Sequence, residues 1–512
     1  MRYAAHLRQR YRAILGYTGL LCLVAGLLLL APLALLLIYP AEVSLAWTFL
    51  LPGLLLALPG LWLWRRLTPE GDTSLDTQEG AVIVVLAWLL AIVAGAVPFM
   101  AAGSLDLTRA LFESTSAWAT AGLSVLDLGR ASPLLLFYRS LLQLAGGAGL
   151  AIIMLSALAG PVGPGLSVAE GRSEQLLPHV RRSASLVLGM YGAYVLLGIL
   201  ALAAAGMGWF DAVNHAFAAV STGGFSTHAE SIAYWDSPAI EGVLVVLMLL
   251  GATNFLTAYT LLRGKVRAAA RSSEVRQTVL LLLLGGGILL VGVTAGRYGG
   301  PGPGLRVAVF NAVSALSTTG FSTVDYAPWN SLGRLVVVLL MLVGGATGST
   351  AGGIKQYRIH VLYRGLVWEF RRRMLPPSAV TQPDVWRGES REFVDDAHLR
   401  QVAVYVFLYF VVLLAGSTLL AAYGYSFQDS IFELTSALST VGVSVGVFTP
   451  GAPGGVLWTG IVAMFLGRLE FFAIILGLIR LVRDLPVLAA AAWQARRAGE
   501  LPARPLPGRQ EK

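Results

Sequence analysis

One short motif occurs four times in this chain, each time between two long apolar stretches. It consists of threonine, a variable residue and glycine, followed by an apolar residue and serine. The four copies are Thr120-Ala121-Gly122, Thr222-Gly223-Gly224, Thr318-Thr319-Gly320 and Thr440-Val441-Gly442. Because the flanking stretches are long enough to cross a bilayer as helices, the sequence predicts four pore loops around one ion pathway, each forming a quarter of its wall.

The composition supports a chain that lies mostly in lipid. Of its 512 residues, 56% are hydrophobic and 13% are charged, which is far from the average of soluble proteins. The net charge of +9 does not indicate a nucleic-acid partner, because the basic residues lie in short connections between apolar stretches. We therefore expect an all-α protein of the cell inner (plasma) membrane, which crosses the lipid bilayer many times.

The motifs divide the chain into four repeats of one plan: an apolar helix, the motif, a second apolar helix and a basic loop. A retained hairpin of two membrane helices precedes them, since the first apolar run, residues 16–38, is longer than the core of a signal peptide. The predicted divisions are the hairpin (1–67), the repeats (68–173, 174–273, 274–375 and 398–485), a cytoplasmic linker (376–397) and a cytoplasmic tail (486–512).

Each repeat is predicted to contribute two membrane helices. They cover residues 80–100 and 134–158, 186–205 and 240–262, 278–295 and 332–367, and 402–422 and 456–481. The basic loops fall between repeats or at the chain ends, so these loops and both termini are predicted to be cytoplasmic, with the motifs on the outer side. Such repeats are parallel and can surround an axis normal to the membrane. The linker is either a solvated connection or a docking surface for a partner.

A second pattern precedes each motif. The residue seven places before the threonine is polar (Glu113, His215, Asn311 and Glu433), and the one four places before is small and followed by alanine (Ser116, Ala218, Ser314 and Ser436). We expect a short, closely packed pore helix that begins at the polar residue, whose side chain satisfies free N–H groups of the first turn. The partly negative C-terminal end of that helix would favour a cation inside the membrane.

The motif itself has the chemistry of an ion filter. Backbone within the bilayer must be buried in protein or face water, and carbonyl oxygens that face the axis can replace the water shell of a cation. Glycine allows backbone conformations that a Cβ disfavours. The twelve motif residues quoted above are therefore the candidate filter and cation-binding residues.

With these motifs, residues 68–485 resemble the Trk/Ktr/HKT superfamily of potassium transporters, and the N-terminal hairpin makes the chain most similar to its TrkH branch. In that family the motif glycines form a potassium-selective filter, and serine in the first loop is associated with sodium transport. Glycine in all four loops implies K+ as the transported ion, with some Na+ and Rb+. The resemblance also implies a homodimer with one pore per chain, and a cytoplasmic nucleotide-binding regulatory subunit of the TrkA kind.

A glycine-rich run interrupts the second helix of repeat three, between Gly344 and Lys355. Such a composition is poor in a helix interior, so an unwound segment is expected; a packing kink is the alternative. In the family that the chain resembles, the matching stretch obstructs the pore and moves on gating. The resemblance therefore implies a gate that contains Gly344, Gly345, Thr347, Gly348, Ser349, Thr350, Gly352, Gly353 and Lys355.

The second helix of repeat four carries Arg468 within an apolar stretch. A charge there is costly and normally faces a partner or a watery cavity. Arg468 either pairs structurally, for example with Glu470, or forms a fixed barrier to cations below the filter; the family has an arginine at this place. Asn254 lines a cavity or serves packing, and the Gly146–Gly149 cluster indicates close helix packing.

Two other functional classes compete with an ion pathway. An ion-coupled symporter of a small solute is the alternative transporter, but the parallel repeats and the lack of paired broken helices in the sequence pattern argue against it. An enzyme is disfavoured because the six histidines are not spaced as metal ligands. We therefore predict no enzymatic activity, no organic cofactor and no metal other than the transported ion.

Overall fold

A computed structural model of the chain describes residues 2–68, 76–149, 180–376, 381–387, 390–469 and 471–497. In these residues the chain is almost entirely helical. Six helices are long and apolar enough to cross a membrane, and the number is eight if each of two bent helix pairs is one crossing. The chain is therefore a helical protein that spans the membrane several times.

The N-terminal hairpin packs through small residues. Helix α1 (Arg2–Leu30) and helix α2 (Ala46–Leu67) are joined by two 3₁₀ stretches, Ala31–Leu37 and Pro40–Leu45. A Cβ added at Gly26 would lie 2.7 Å from the carbonyl oxygen of Gly53. Glycine therefore lets the two backbones approach closely, as is common between membrane helices.

Each repeat consists of a long helix, a pore helix and a second helix or helix pair. Repeat one has α3 (Thr77–Ala101), α4 (Leu107–Trp118) and α5 (Pro133–Ala148). Repeat two has α6 (Val180–Ala204), α7 (Trp209–Val220), α8 (Pro238–Ala252) and α9 (Phe255–Leu262), followed by α10 (Val266–Arg271). Repeat three has α11 (Ser273–Leu289), continued by a π-helical turn at Leu290–Thr294, then α12 (Pro301–Leu316), α13 (Ser331–Val343) and α14 (Gln356–Met374). Repeat four has α15 (Asp396–Ala422), α16 (Phe427–Leu438), α17 (Gly454–Leu469) and α18 (Phe471–Arg497).

The second helices are broken more often than the sequence suggests. The predicted continuous helices over 240–262 and 456–481 are wrong, because the chain bends by 113° between α8 and α9 and by 103° between α17 and α18. At the first bend Thr253 is extended, and the Asn254 side chain accepts the N–H of Leu256 (2.7 Å) to start a new helix. The expected lack of paired broken helices is therefore also wrong.

Repeats one and three differ from this pattern. In repeat three, residues 344–355 separate α13 from α14 and form no helix, in keeping with their glycine content. In repeat one, α5 ends at Ala148, and the predicted continuation to residue 158 lies outside the described residues. All described second helices of repeats two to four are thus interrupted near their middle.

The pore helices begin earlier than predicted. Helix α4 starts at Leu107, where the side chain of Asp106 accepts the N–H of Arg109 (2.8 Å) as an N-cap. Glu113 therefore lies in the middle of the helix, and His215, Asn311 and Glu433 are likewise interior positions of α7, α12 and α16. The prediction that these four side chains cap the first turn is wrong, and they are fully buried.

The linker contains a small hairpin, a departure from the all-α expectation. Strand β1 (Asp384–Arg387) pairs antiparallel with β2 (Ser390–Phe393), with Asp384 opposite Phe393. Val385 and Val394 are buried in a cluster with Val361 of α14 and Val402 of α15. Since both valines pack against helices, this described part of the linker is more than a solvated connection.

Candidate functional site

Each pore helix ends in the same way, directly at the motif. In repeat one the N–H of Thr120 donates to the Ala117 carbonyl (3.2 Å), and the N–H of Ala121 donates to the Ser116 carbonyl (2.9 Å). This pair of bonds is the Schellman termination of a helix. The same two bonds recur from Thr222 and Gly223, from Thr318 and Thr319, and from Thr440 and Val441. The small residue and the alanine before each motif are therefore the two acceptors of this termination.

The motif threonines occupy a backbone conformation that normally takes glycine. Their φ angles are +55° at Thr120, +52° at Thr222, +54° at Thr318 and +51° at Thr440. A β-branched residue is strained in this left-handed region, at a cost of about 1–3 kcal/mol each. Four strained threonines in equivalent positions indicate that their hydroxyl groups have a task that glycine could not perform.

The motif glycines join the four repeats into a ring. Their φ angles are also positive, from +70° at Gly224 to +109° at Gly442. A Cβ added at any of them would lie 2.6 Å or less from a carbonyl oxygen of another repeat. The glycine–carbonyl pairs are Gly122 with Gly223, Gly224 with Thr319, Gly320 with Val441, and Gly442 with Ala121.

These contacts run from repeat one to two, two to three, three to four, and four back to one. The structure thus brings all twelve candidate filter residues together in one closed arrangement, here called the filter ring (residues 120–122, 222–224, 318–320 and 440–442). A cavity of about 510 Å³ opens on one side of the filter ring, and its wall includes all four motif glycines.

The buried polar residues of the pore helices hold the chain just after the filter ring. Glu113 accepts bonds from the Ser124 hydroxyl and the Val125 N–H, both 2.9 Å. The other three pore helices make corresponding bonds: His215 Nε2 to Ser226 Oγ (3.0 Å), Asn311 Nδ2 to Thr323 Oγ1 (3.0 Å), and Glu433 from the Val447 N–H (2.7 Å). Their role is therefore to brace the exit of each filter segment.

Sequence reasoning missed Arg139, a buried residue of α5. Its guanidinium donates to Glu113 (2.8 Å), to the Ser124 hydroxyl (2.9 Å) and to the Ser226 carbonyl (3.3 Å), and it lies 3.9 Å from the ring centre of Phe225. Arg139 therefore ties the first filter segment to the second. The available signal was a lone arginine in an apolar stretch, which is costly in a membrane and usually functional.

Gln143, one turn further along α5, also holds the second filter segment and was missed. Its Nε2 donates to the Gly223 carbonyl (2.6 Å), and its Oε1 accepts the N–H of Phe225 (3.1 Å). The side chain is fully buried. Helix α5 of repeat one thus positions a filter segment that belongs to repeat two.

The side of the filter ring opposite the cavity is covered by residues 344–355, here called the glycine-rich loop. The Gly352 N–H donates to the hydroxyl of Thr318 (2.7 Å), and Thr350 Oγ1 lies 3.2 Å from Thr222 Oγ1. A Cβ added at Gly352 would collide with Thr440 Oγ1. Three of the four strained threonines therefore direct their hydroxyls at this loop, and a glycine in their place could not.

The glycine-rich loop is held from the side by repeat two and by the start of α11. The N–H of Thr350 donates to the Gly251 carbonyl (3.1 Å), beside the bend of repeat two, and the N–H of Ala346 donates to the Ala252 carbonyl (3.0 Å). The N–H of Thr347 donates to the carboxylate of Glu274 (2.7 Å). The Lys355 ammonium donates to the Ala351 carbonyl within the loop.

Arg468 reaches the glycine-rich loop from repeat four. Its guanidinium donates to the Thr350 carbonyl (3.0 Å) and to the carbonyls of Gly146 and Gly147 in α5. It therefore crosslinks three repeats directly beneath the filter ring. Glu470, the partner suggested by the sequence, lies outside the described residues.

Glycines of the second helices complete the packing around the pore helices. Gly146 contacts the carbonyl of Trp118, Gly251 that of Val220, and Gly467 that of Leu438. Each of these carbonyls belongs to the last residue of a pore helix. The close packing expected of the Gly146–Gly149 cluster is thus present, and Asn254 serves as a helix cap.

Comparison with known proteins identifies the family. The model of the TrkH family, described as a cation transport protein, matches residues 53–284 and 302–483. The chain belongs to the TrkH family. The resemblance inferred from the motifs is therefore confirmed, as is the prediction that the chain is not an enzyme. The expected helical, multi-span fold is likewise confirmed, but the bent helix pairs of repeats two and four were not part of the expectation.

Named relatives cover nearly the whole chain. The Trk system potassium uptake protein TrkH of Escherichia coli K12 is 30% identical over 485 residues, which are 91% of this chain and 98% of that protein. An uncharacterized cation transporter of Methanocaldococcus jannaschii is 30% identical over 473 residues, 90% and 94% of the two chains. The crystal structure of the potassium transporter TrkH from Vibrio parahaemolyticus matches with a TM-score of 0.78 at 28% identity, covering 91% of this chain and 98% of that one.

Proposed function

We propose that this chain is a potassium uptake protein that conducts K+, with Rb+ and some Na+, through one central pore lined by its four parallel repeats. The observation that carries the proposal is the closed filter ring. Its middle residues, one from each repeat, bring their carbonyl oxygens against the glycines of the preceding repeat. Carbonyl oxygens arranged in this way can replace the hydration shell of a cation. Family membership and the names of the relatives support potassium as that cation.

Electrostatics favour a cation at the same place. The four pore helices all end at the filter ring, and the C-terminal end of a helix carries a partial negative charge. The cavity beyond the ring includes Glu230 and Asp325 in its wall. We assign this cavity to the outer side of the inner (plasma) membrane, because the basic loops and both termini then lie in the cytoplasm.

The glycine-rich loop is the proposed gate. It lies against three filter threonines and is held by backbone hydrogen bonds to Gly251 and Ala252, so it obstructs the pathway in this arrangement. Arg468 adds a fixed positive charge at the same level and fastens the loop through the Thr350 carbonyl. Opening would require the loop to leave the filter threonines, the carbonyls of Gly251 and Ala252, and Arg468.

Removing the guanidinium tests this gate. The variant Arg468→Ala loses the bond to Thr350 and the positive charge, so passive Rb+ uptake into liposomes should rise about threefold or more at equal protein. The exposed Arg373→Ala is the matched control and should not change uptake. Uptake at or below the wild-type rate in Arg468→Ala would rule out a barrier role for this arginine.

An ion-coupled symporter of a small solute remains the second candidate, because the broken helices of repeats two and four are also found in such transporters. Flux measurements with purified protein in liposomes separate the two. A conducting pore gives K+ and Rb+ flux that follows the electrochemical gradient and is unaffected by an imposed proton or Na+ gradient. Uphill movement driven by either gradient, or no flux without a solute, would favour the symporter.

The proposed assembly is a homodimer with a separate cytoplasmic nucleotide-binding subunit of the TrkA kind. It rests on family membership and on the relatives named as parts of a Trk system. Size-exclusion chromatography with light scattering on the purified chain gives the stoichiometry directly.

A further inference from the structure

A basic pocket lies away from the filter ring, on the side of the bundle that carries the basic loops. One wall is the turn at Gly264 and the helix α10 that follows; the other is Trp386 of β1. Its volume is about 690 Å³. Lys265, Arg267 and Arg271 line it, and no carboxylate of the described residues does so. A pocket lined by one sign of charge attracts a ligand of the opposite sign.

Two carboxylates that are close in sequence to the pocket residues are engaged elsewhere. Asp384, two residues from Trp386, is bound by Arg391 (2.7 Å) and by Arg364, and these bonds hold the pKa of Asp384 below its ordinary value. Glu274, at the start of α11, accepts the N–H of Thr347 in the glycine-rich loop. Arg267 and Arg271 have no carboxylate partner among the described residues, so both guanidinium groups can bind an anion.

The position of the pocket distinguishes between a free anion and a lipid. Helix α11 starts two residues after Arg271, and its side chains Val279, Leu280 and Leu283 are 52%, 54% and 70% exposed. Val279 lies about 9 Å along the helix from Ser273, so the pocket adjoins an exposed apolar face of the kind that lipid acyl chains cover. Tryptophan and basic residues are typical of this boundary.

We propose that the pocket binds the phosphate group of an anionic phospholipid, whose acyl chains lie along the exposed face of α11. Arg267 and Arg271 would each donate to phosphate oxygens, for which the guanidinium geometry is suited. The indole of Trp386 would pack against the headgroup. Basic pockets between membrane helices on the cytoplasmic side bind lipid headgroups of this kind.

Short hydrogen-bonded steps connect this pocket to the glycine-rich loop. The backbone N–H of Trp386 donates to Ser273 Oγ (3.2 Å), and the adjacent Glu274 accepts the N–H of Thr347 (2.7 Å). A lipid that fixes Trp386 would therefore also fix the start of α11, which holds the loop. This consequence for flux rests on the proposed function, whereas lipid binding does not.

The test measures lipid retention first. Purified protein is given equal amounts of phosphatidylglycerol and phosphatidylcholine, and retained lipid is counted by native mass spectrometry. The variant Arg267→Gln/Arg271→Gln should retain about tenfold less phosphatidylglycerol than the wild type. The control Arg371→Gln/Arg373→Gln removes the same charge from exposed positions at the end of α14 and should retain it. Both variants are compared with wild type in thermal unfolding, so that a folding defect is recognised.

Competition decides the source of the phosphate. Inorganic phosphate should not displace phosphatidylglycerol from the wild type. Displacement would mean a site for free phosphate and would overturn the lipid assignment. Equal amounts of retained phosphatidylglycerol in the two double variants would also overturn it, as would equal retention of phosphatidylcholine and phosphatidylglycerol by the wild type. Rb+ uptake is then compared in liposomes with and without phosphatidylglycerol, and only the wild type and the control should depend on it. Retention without any Rb+ uptake would count against the proposed function and leave the lipid site standing.

Discussion

The first and fourth repeats contain the same buried carboxylate but compensate it differently. Glu113 and Glu433 each lie seven residues before the motif threonine and are fully buried. Glu113 forms an ion pair with Arg139 (2.8 Å). Glu433 accepts the N–H groups of Val445, Gly446 and Val447 and the Ser444 hydroxyl. Among the described residues no cation pairs with Glu433, and its second oxygen has no hydrogen-bond partner.

The aligned positions explain this difference. Arg139 lies seven residues before Gly146, the glycine that contacts the end of its pore helix. In repeat four the same step back from Gly467 leads to Gly460, where an added Cβ would meet Phe112 and Phe448 at 2.8 and 2.9 Å. These two aromatic rings therefore leave no room for a side chain at Gly460, so an arginine equivalent to Arg139 does not fit in repeat four. The field around the filter ring is therefore not fourfold symmetric, and the acid without a cationic partner among the described residues is in repeat four.

The largest expected effect concerns the motif glycine, which the first and fourth repeats have in common. Gly122 and Gly442 each face a carbonyl oxygen of the adjacent repeat, and both have positive φ. If the ring is the proposed filter, Gly122→Ser and Gly442→Ser should each lower the Rb+-to-Na+ uptake ratio by about tenfold or more, because the added Cβ displaces a carbonyl of the ring.

Gly446→Ser is the matched control for this prediction. Gly446 also has a positive φ (+95°), but an added Cβ there meets nothing within 4 Å. Its uptake ratio should stay at the wild-type value. A ratio as low as in the two filter variants would attribute the effect to backbone strain rather than to the ring contact.

A smaller effect, on the free energy of unfolding, concerns Glu113, the one of these two carboxylates that pairs with an arginine. Arg139→Leu leaves Glu113 buried without its cation, so the free energy of unfolding should fall by about 3 kcal/mol or more. The double variant Arg139→Leu/Glu113→Gln should recover most of that loss, which denaturation in detergent can measure as a double-mutant cycle. Equal stability of the single and double variants would show that Arg139 serves packing and not charge compensation.

The smallest effect concerns the acid of repeat four. Glu433→Gln replaces a buried carboxyl group close to the filter ring by a neutral amide, and if that carboxyl group is ionised, the half-saturating Rb+ concentration should rise about threefold. Asp127→Asn, an exposed acid of the first repeat, is the control and should leave it unchanged. An unchanged value in Glu433→Gln would mean that this carboxyl group is already neutral in the protein.

The sequence was sufficient for features that repeat or have an unusual composition. The four motifs in equivalent positions predicted that their residues meet, and the glycines of Gly344–Gly353 predicted the helix interruption there. The filter and gate roles of these residues stay predictions. The bend at Thr253 and Asn254 was missed because apolar residues continue on both sides, so hydropathy alone does not register it. Asn254 was the remaining sequence signal for this bend, because asparagine is a preferred residue at the start of a helix.

The roles of the buried polar side chains could not be predicted from the sequence, because they depend on contacts that form only on folding. Glu113 was expected at the start of a helix, but the N-cap of α4 is Asp106, about two helical turns earlier. The bonds of Glu113 to Ser124 and Val125 join residues that only folding brings together. Arg139, in contrast, was visible as a charge in an apolar stretch and could have been singled out.

The closed filter ring has a consequence for how the protein is made. Gly442 must reach Ala121 to complete the ring, and these two residues lie at opposite ends of the repeat array. A nascent chain that has inserted only three repeats therefore has a gap in its filter wall. Under the proposed function, the selective pathway would form only after the fourth repeat has entered the bilayer, and a product of interrupted synthesis that lacks this repeat could not reproduce it.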